Sequence, residues 1–321
     1  MQLTPQRDFK VVLGLIAVVA VPAVVALLSA RVAQKPVLLT PQPSFLGYTR
    51  SLSLFISPIL AVLVWLHIHR DFRFQRRAFY WTVIPLALTG FLLDFVFGTL
   101  FFQYPNREAT LGCWLPGWDW NTLRIEPDRL PLEEFVFYAT GFMAVLLIYL
   151  WCDEYWFGAY NVPDYRVEAN KLDRVIHLHW PSLWIGVALI AAGWLYKNFG
   201  PVSDQRGFPG YFTFLVVAAI VPSILLYDAA KRFINWRAVS FTFFMILLVS
   251  LLWEATLAVP YGWWGYEPGP MLGIYVYAWT KLPLEAVILW MAVTFTTVIV
   301  YEVVKILCAS DRGIRRMLTG K

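Results

Sequence analysis

The stretch RRAFYWTVIPLALTGFLLDF (residues 76–95) is apolar almost throughout, and an acid stands near its end. Apolar runs of roughly 18 or more residues are typical of helices that span a membrane. The stretch WRAVSFTFFMILLVSLLWEA (residues 236–255) aligns with the first one without a gap. In each stretch an arginine precedes the acid by 17 residues, Arg77 before Asp94 and Arg237 before Glu254. The sequence therefore predicts two related membrane-spanning helices with an acid at the same depth.

The whole chain has the composition of an integral membrane protein. It has 321 residues, of which 59% are hydrophobic, and its mean hydropathy is +0.60. We predict an all-α integral membrane protein with about eight transmembrane helices. The first apolar run is too long for the hydrophobic region of an ordinary signal peptide, and we interpret it as an uncleaved helix. The predicted helices cover residues 11–30, 51–68, 78–103, 132–152, 175–196, 208–227, 238–259 and 283–304.

Basic residues predict the orientation of these helices. If the N-terminus is cytoplasmic, the inner segments hold 17 of the 26 Lys and Arg residues. Because such an excess marks the cytoplasmic side, we predict that both termini face the cytoplasm, in a membrane of the bacterial inner-membrane type. The net charge of +5 then reflects membrane orientation, and we expect no nucleic-acid partner. The three cysteines form no CxxC pair and support neither a disulfide nor a metal site.

The two aligned stretches belong to two halves of the chain. Four predicted helices separate them, an even number, so both copies cross the membrane in the same direction. An aromatic-rich outer segment follows each copy and leads to a Leu-Pro-Leu-Glu helix start, at residues 130–133 and 282–285. We predict two parallel four-helix repeats around a central cavity. Their bounds are residues 1–152 for the first repeat, 153–174 for a cytoplasmic linker, 175–307 for the second repeat and 308–321 for a basic cytoplasmic tail.

Five carboxylates are predicted to lie in one layer of the membrane. Seventeen helical residues at about 1.5 Å each place an acid roughly 25 Å from the inner boundary, near the outer edge of a hydrocarbon core about 30 Å thick. The helices that begin at the Leu-Pro-Leu-Glu motifs start from the outside and bring their acids to the same level. Acids inside a membrane are costly and usually face a cavity or a partner, which makes this layer the predicted catalytic site. The five residues are Asp94, Glu133, Glu134, Glu254 and Glu285.

Each of these acids has a structural alternative. The N-terminus of a helix favours an anion, which could account for Glu133, Glu134 and Glu285. An ion pair or a side chain that reaches the interface could account for Asp94 and Glu254. If the acids do meet, close packing favours a neutral form of one beside an ionised neighbour, which is a ready-made acid and base.

Aromatic side chains of the outer segments are predicted to complete a substrate-binding pocket. Rings beside a protonating acid suggest chemistry through a carbocation, because aromatic faces stabilise cations in dry sites. A belt of rings at the membrane interface is the alternative interpretation. The predicted substrate-binding residues are Trp114, Trp118, Trp263, Trp264, Tyr266 and Trp279.

These motifs resemble those of a known family. The stretch WWGYEPGPMLGIYVYAWTKLPLEAVILW (263–290) resembles the second-half signature of the integral-membrane lycopene cyclases, the heterodimeric or fused type. The stretches YPNREATLGCW (104–114) and LPLEEFVFY (130–138) resemble the first-half copy. The resemblance covers about residues 78–152 and 238–304. It implies an isomerase that protonates a linear polyene, closes a six-membered ring and loses a proton, without a cofactor.

The resemblance also implies roles for the acids and has visible departures. It makes Glu133, Glu134 and Glu285 the motif acids, and Asp94 and Glu254 the acids of the preceding helices. The second motif, however, has Ala286 where the family has a further acid, and residues 115–129 look like an insertion.

We therefore predict a membrane-embedded carotenoid or terpenoid cyclase that acts on a hydrophobic polyene such as lycopene. A proton-coupled transporter or a non-catalytic lipid- or carotenoid-binding protein is the alternative, because parallel repeats with intramembrane carboxylates also occur in carriers. No GxGxxG follows a strand, which argues against the flavin-dependent type of cyclase. The two classes differ in a simple observable, since a cyclase changes the structure of its substrate and a carrier does not.

Overall fold

The computed structural model is mainly helical, with 69% of its residues in helices. It describes residue 17 and residues 44–69, 74–162, 164–200, 206–277 and 280–320. The helix predicted over 11–30 lies outside the described residues except for residue 17, and Trp279 also lies outside them.

Nine α-helices form within the described residues. Their bounds are α1 (Gly47–Ile68), α2 (Arg76–Phe101), α3 (Leu132–Trp151), α4 (Tyr165–Lys171), α5 (Trp180–Phe199), α6 (Gly210–Ala230), α7 (Trp236–Trp253), α8 (Leu284–Ala309) and α9 (Ile314–Thr319). A π-helical turn extends α3 over Cys152–Trp156, and another extends α7 over Glu254–Ala258.

Six helices of the described residues are long and apolar enough to cross a membrane: α1, α2, α3, α6, α7 and α8, with the π-helical turns included. The sequence predicts each of these helices to within a few residues, because long apolar runs leave few other structures open to the backbone in a membrane. The chain is thus a multi-pass membrane protein of mainly helical structure, and the residues that the structure describes hold six candidate spans. The total of eight stays a prediction, because nearly all of the first predicted helix lies outside these residues.

The helix predicted over 175–196 forms as α5, shifted by several residues, and is not among the six candidate spans. It begins at Trp180, because Pro181 suits the first turn of a helix. The side chain of His179 caps this start and accepts a hydrogen bond from the backbone N–H of Ser182 at 3.3 Å. At the other end Lys197 lies inside the last turn, so the helix carries a charge within its apolar run.

Short antiparallel strands lie between the helices at one end of the bundle, where the sequence predicts only aromatic-rich segments. We call this the hairpin end, and the opposite end, which holds α4 and α9, the loop end. Strand β1 pairs with β4, β2 with β3 and β5 with β6. The bounds are β1 (Phe102–Gln103), β2 (Trp114–Asp119), β3 (Arg124–Pro131), β4 (Gly265–Tyr266), β5 (Tyr275–Tyr277) and β6 (Lys281–Pro283).

Helix α8 is at the centre of the bundle and packs against α2, α3, α6 and α7. Helix α1 covers α3 from one side, and α5 covers α6 from the other. The β1–β4 pair joins the segment after α2 to the segment after α7, with Phe102 opposite Tyr266. This strand pair brings the two aromatic-rich segments together beside the hairpin ends of α3 and α8.

Candidate active site

The two Leu-Pro-Leu-Glu motifs fold in the same way. In each, a proline precedes the helix in an extended conformation, with φ −69° and ψ 146° in the first copy and φ −69° and ψ 150° in the second. The next leucine donates its backbone N–H to a carbonyl of the preceding turn. The N···O distance is 2.9 Å in both copies, Leu132 to Cys113 and Leu284 to Ile274.

A Leu-Gly turn precedes each of these helices and is tied to it by an acid. Gly112 and Gly273 have φ values of +77° and +84°, a left-handed conformation that a side chain would strain. The backbone N–H of the leucine before each glycine donates to a glutamate of the helix start. These contacts are Leu111 to Glu133 Oε1 at 2.6 Å and Leu272 to Glu285 Oε1 at 2.5 Å.

Further contacts hold these two acids in place. Thr49 donates its hydroxyl to Oε1 of Glu133 at 2.5 Å. Lys197 interacts electrostatically with Glu285 and donates to the carbonyls of Gly269 and Met271 in the turn that Glu285 also holds. Both carboxylates thus fasten a turn of the hairpin end to the helix that follows it.

We expect a Glu285→Ala variant to lose stability. Its backbone partner, the N–H of Leu272, would remain buried without an acceptor, which costs about 1–3 kcal/mol in the free energy of unfolding. A Glu285→Gln variant keeps an acceptor oxygen and should lose less. Equilibrium unfolding in mixed detergent micelles measures both, and equal stability of all three proteins would contradict this role.

A pocket lies between the hairpin ends of α3 and α8 and the end of α7. Two of the five acids line it, Glu134 and Glu254, and the remaining lining is aromatic or apolar apart from one glycine. The lining rings come from both halves of the chain. They are Phe102, Phe137, Tyr138, Phe142, Trp264, Tyr266 and Trp290.

Glu254 is the more strongly hydrogen-bonded of the two pocket acids. Its Oε2 accepts from the hydroxyl of Tyr266 at 2.5 Å, and its Oε1 accepts from Nε1 of Trp290 at 2.7 Å. Burial, and then the charge of Glu254, raises the pKa of Tyr266 well above its ordinary value, so this phenol stays protonated and donates. Glu254 also opens the π-helical turn after α7, a feature that is frequent at functional sites. Two donors aimed at one carboxyl group suit its ionised form.

Glu134 is the other pocket acid and has a second carboxylate beside it. Its Oε2 accepts from the hydroxyl of Tyr48 at 3.0 Å, and it interacts electrostatically with Asp94. Asp94 is 3% exposed and interacts with the side chain of Tyr138, a residue of the pocket lining. Gly98 leaves room for this carboxylate, because a Cβ there would lie 2.7 Å from Oδ1. Two buried carboxyl groups in this relation repel each other when both are ionised, which favours a proton on one of them.

All five predicted acids are therefore buried near the hairpin end, but they fall into two sets. Glu134 and Glu254 line the pocket with Asp94 close behind, whereas Glu133 and Glu285 hold turns. The hydroxyl of Tyr211 interacts electrostatically with four of these acids, Glu254, Glu285, Glu134 and Asp94.

The predicted substrate-binding rings also divide. Trp264 and Tyr266 line the pocket. Trp263 is not among the lining residues, and its ring stacks on that of Tyr48, with centroids 5.8 Å apart and an angle of 8° between the planes. This contact fixes α1 against the segment after α7.

Trp114 and Trp118 lie on strand β2, and neither lines the pocket. The guanidinium carbon of Arg107 lies 4.4 Å from the ring centroid of Trp114, and the carbonyl of Trp118 accepts from the hydroxyl of Thr99 at 2.6 Å. These contacts attach the β2–β3 hairpin to the bundle. Trp279 lies outside the described residues.

The sequence reasoning missed the pocket residues that come from the helices. Phe137, Tyr138, Gly141 and Phe142 follow Glu134 at intervals of three, four, seven and eight residues, which places them all on one face of α3. The helical spacing from Glu134 would have identified them. Trp290 lies on α8 and carries no such signal, because its partner Glu254 is 36 residues away in the chain.

A second group of buried ionisable side chains lies at the loop end, and the sequence reasoning missed it too. Glu302 accepts from the hydroxyl of Tyr149 at 2.8 Å and from that of Tyr165 at 2.6 Å. Nζ of Lys305 lies 3.5 Å from Oδ2 of Asp153, 3.8 Å from Oε1 of Glu154 and 4.5 Å from the ring centroid of Tyr165. We call these six residues the loop-end cluster: Tyr149, Asp153, Glu154, Tyr165, Glu302 and Lys305.

Comparisons with protein-family models, with curated proteins and with solved structures find no match for this chain. Within the part of the chain that the structure describes, no group of three or more His, Cys, Asp and Glu side chains is arranged to hold a metal ion.

Proposed function

We propose that the protein is a membrane-embedded isomerase that closes a ring at the end of a neutral polyene such as lycopene. The observation that carries this proposal is one aromatic-lined pocket with two buried acids in different surroundings. Glu254 has a donor on each carboxylate oxygen, and Glu134 has a second carboxylate, Asp94, beside it. Acid–base catalysis requires one group that donates a proton and another that accepts one. Contrasting environments give two carboxyl groups these different roles.

The proposed reaction begins with proton transfer from the carboxylic acid of Glu134 to a terminal double bond of the polyene. The resulting tertiary carbocation is attacked by an internal double bond, and the new carbon–carbon bond closes the ring. The ring cation then loses a proton from an adjacent carbon to the carboxylate of Glu254. The product is an isomer of the substrate, and return of the proton to Glu134 restores the starting state. No electrons are gained or lost, so the reaction needs no redox cofactor.

The rings of the pocket serve the cationic intermediate. Phe137 packs edge-on against Trp290 with centroids 5.5 Å apart and tilts against Trp264 at 5.8 Å, so three rings surround one region of the pocket. An aromatic face within about 6 Å of a cation stabilises it, by about 2 kcal/mol or more where water is excluded. Apart from the two acids and the hydroxyls of Tyr138 and Tyr266, the lining is apolar, which limits capture of the cation by water.

Glu133 and Glu285 take a positioning role in this proposal. They hold the Leu-Gly turns that precede α3 and α8. These contacts fix the starts of the two helices and thereby position the pocket acid Glu134 and the pocket ring Trp290. In the second half Ala286 occupies the position that corresponds to Glu134, and its surroundings are the buried apolar side chains of Ala255 and Leu282. Because the second half lacks this acid, we expect one acid-lined pocket rather than two.

The matching geometry of the two helix starts supports a duplicated architecture of two related halves. We infer that the halves carry one site between them, with residues of both in its lining.

We also infer from the distribution of Lys and Arg that the loop end is cytoplasmic and the hairpin end faces outward. Reporter fusions at residue 163 and at the C-terminus should both report the cytoplasmic side.

Expression in cells that accumulate lycopene tests the proposed function. We expect pigments with ringed ends in cells that express the chain, and none in cells with an empty vector. Separation of the extracted pigments by chromatography, with absorption spectra and mass, measures this, because ring closure changes the spectrum and leaves the mass unchanged. Unchanged lycopene in cells with the protein in their membrane would contradict the proposal.

A proton-coupled carrier is the second candidate, and the loop-end cluster favours it. Ionisable groups are then buried near both ends of the bundle, at Glu134 and Glu254 and at Glu302 and Lys305, as a carrier with a proton pathway requires. Such a carrier would leave pigment structures unchanged and would move a lipid-soluble ligand only when a proton gradient is imposed on proteoliposomes.

A further inference from the structure

The pocket extends from the acids toward the middle of the membrane, and one glycine lies in its deep part. Gly141 follows Glu134 by seven residues on the same face of α3, which is a distance of about 10 Å along the helix. Val293 on α8 lines the same depth, eight residues after the first-turn acid of that helix. The deep part of the pocket is thus formed by Gly141, Phe142 and Val293.

Helix packing does not explain this glycine. A Cβ at position 141 would have only Trp290 within 4 Å, with its ring atoms at 3.8 and 3.9 Å, an ordinary contact distance. At Gly90 a Cβ would lie 3.2 Å from Tyr138, and at Gly98 it would lie 2.7 Å from Asp94, so neighbours require both of those glycines. Glycine weakens a helix relative to alanine, and at position 141 no close neighbour accounts for that cost.

The lining also limits the chemistry of the ligand. Within the described residues the lining of the pocket has two carboxyl groups and no Lys or Arg. An anionic head group such as a diphosphate would meet like charges there without a compensating cation. The rest of the lining consists of aromatic rings, Gly141, Leu289 and Val293, which suits a hydrocarbon.

We propose that Gly141 keeps the deep part of the pocket open and so determines how much of a neutral, branched hydrocarbon chain the site admits. The identification of the hydrocarbon as a polyene rests on the proposed function, whereas the limit on the size of the hydrocarbon rests on the geometry of position 141. A larger side chain at this position fills the space in front of Trp290 and excludes the hydrocarbon, while Glu134 and Glu254 remain in place.

A graded series at position 141 tests this inference. The variants Gly141→Ala, Gly141→Cys and Gly141→Leu would be purified in detergent from cells that accumulate lycopene, and bound pigment per protein and ringed product would both be measured. We expect the alanine variant to bind within twofold of the native protein, the cysteine variant to bind severalfold less and the leucine variant at least tenfold less. Ala139→Leu, a half-buried position on the same helix outside the lining, is the matched control and should bind within twofold.

The two readouts separate this inference from the proposed function. A Glu134→Gln variant should bind pigment and form no ring, whereas Gly141→Leu should do neither. If the native protein binds pigment without forming rings, the cyclase proposal fails, and reduced binding by the series would still support the role of Gly141. Equal binding across a folded series would overturn that role, and so would the absence of bound pigment from the native protein. Should the leucine variant not fold, the cysteine variant decides, and binding equal to that of the native protein overturns the inference.

Discussion

A Glu134→Gln variant is expected to form ringed products at least about 100-fold more slowly than the native protein, since general acid catalysis contributes about 10²–10⁴-fold. Glutamine keeps the size of the side chain and can still accept from the hydroxyl of Tyr48, so the fold should be preserved. It cannot give a proton to a double bond, because an amide N–H is far too weak an acid. The measurement is ringed product per membrane-inserted protein over a time course in lycopene-accumulating cells.

The matched control is Glu108→Gln, the same substitution at an exposed acid of the hairpin end. It should leave product formation unchanged. Glu133→Gln is an informative third protein: it removes a charge next to the pocket acid but keeps an acceptor for Leu111, so its rate should fall less than that of Glu134→Gln. A folded Glu134→Gln protein with native activity would exclude Glu134 as the proton donor.

The adjacent pair Glu133 and Glu134 marks the limit of what the motif alone can predict. Consecutive residues of an α-helix project about 100° apart, so the two side chains point in different directions, and only Glu134 lines the pocket. The sequence treats the two acids alike, and only the three-dimensional positions of the Leu111 N–H and of Tyr48 distinguish them. Helical rise predicts that the acids lie at one end of the bundle, but it does not predict which of them lines the pocket and which holds a turn.

The helices were the most predictable part of the fold. The run from Arg76 to Phe101 could form little else in a membrane, where every backbone N–H and C=O must be paired within the segment. The strands of the hairpin end were not predictable by the same reasoning. Their register depends on turns such as the one at Gly273 and on pairing across the two halves, as between Phe102 and Tyr266, which are far apart in the chain.

The loop-end cluster shows a different limit of prediction from the sequence. Glu302 and Lys305 stand in the last turns of an apolar helix, where charged residues commonly reach the interface and need no further explanation. Their partners on α3 and α4 are 137 to 153 residues away. No local pattern can predict such a pairing, because burial of the charges depends on three segments that meet only in the folded chain.

A Lys305→Met variant is expected to be the most destabilised of the substitutions considered, with a loss of about 3–5 kcal/mol in the free energy of unfolding. The side chain of Lys305 is 3% exposed and lies near three buried or nearly buried carboxylates, those of Asp153, Glu154 and Glu302. Methionine preserves the length and packing of the side chain but removes its charge. Asp153, which is fully buried, would then lose the cation beside it. Equilibrium unfolding in mixed micelles, followed by tryptophan fluorescence, measures the loss.

Two further variants separate this charge effect from a general sensitivity of lysines. Lys231→Met removes the cation of a partly exposed pair with Asp228 and should cost only about 0–1 kcal/mol, as is usual for such pairs. Asp153→Asn combined with Lys305→Met removes both charges, so the double variant should recover part of the stability that Lys305→Met alone loses. If the second substitution instead adds its own full cost, the two side chains do not interact, and the loop-end cluster would be a set of separate polar contacts. Recovery in the double variant would show that the uncompensated carboxylate of Asp153 accounts for part of the loss from Lys305→Met.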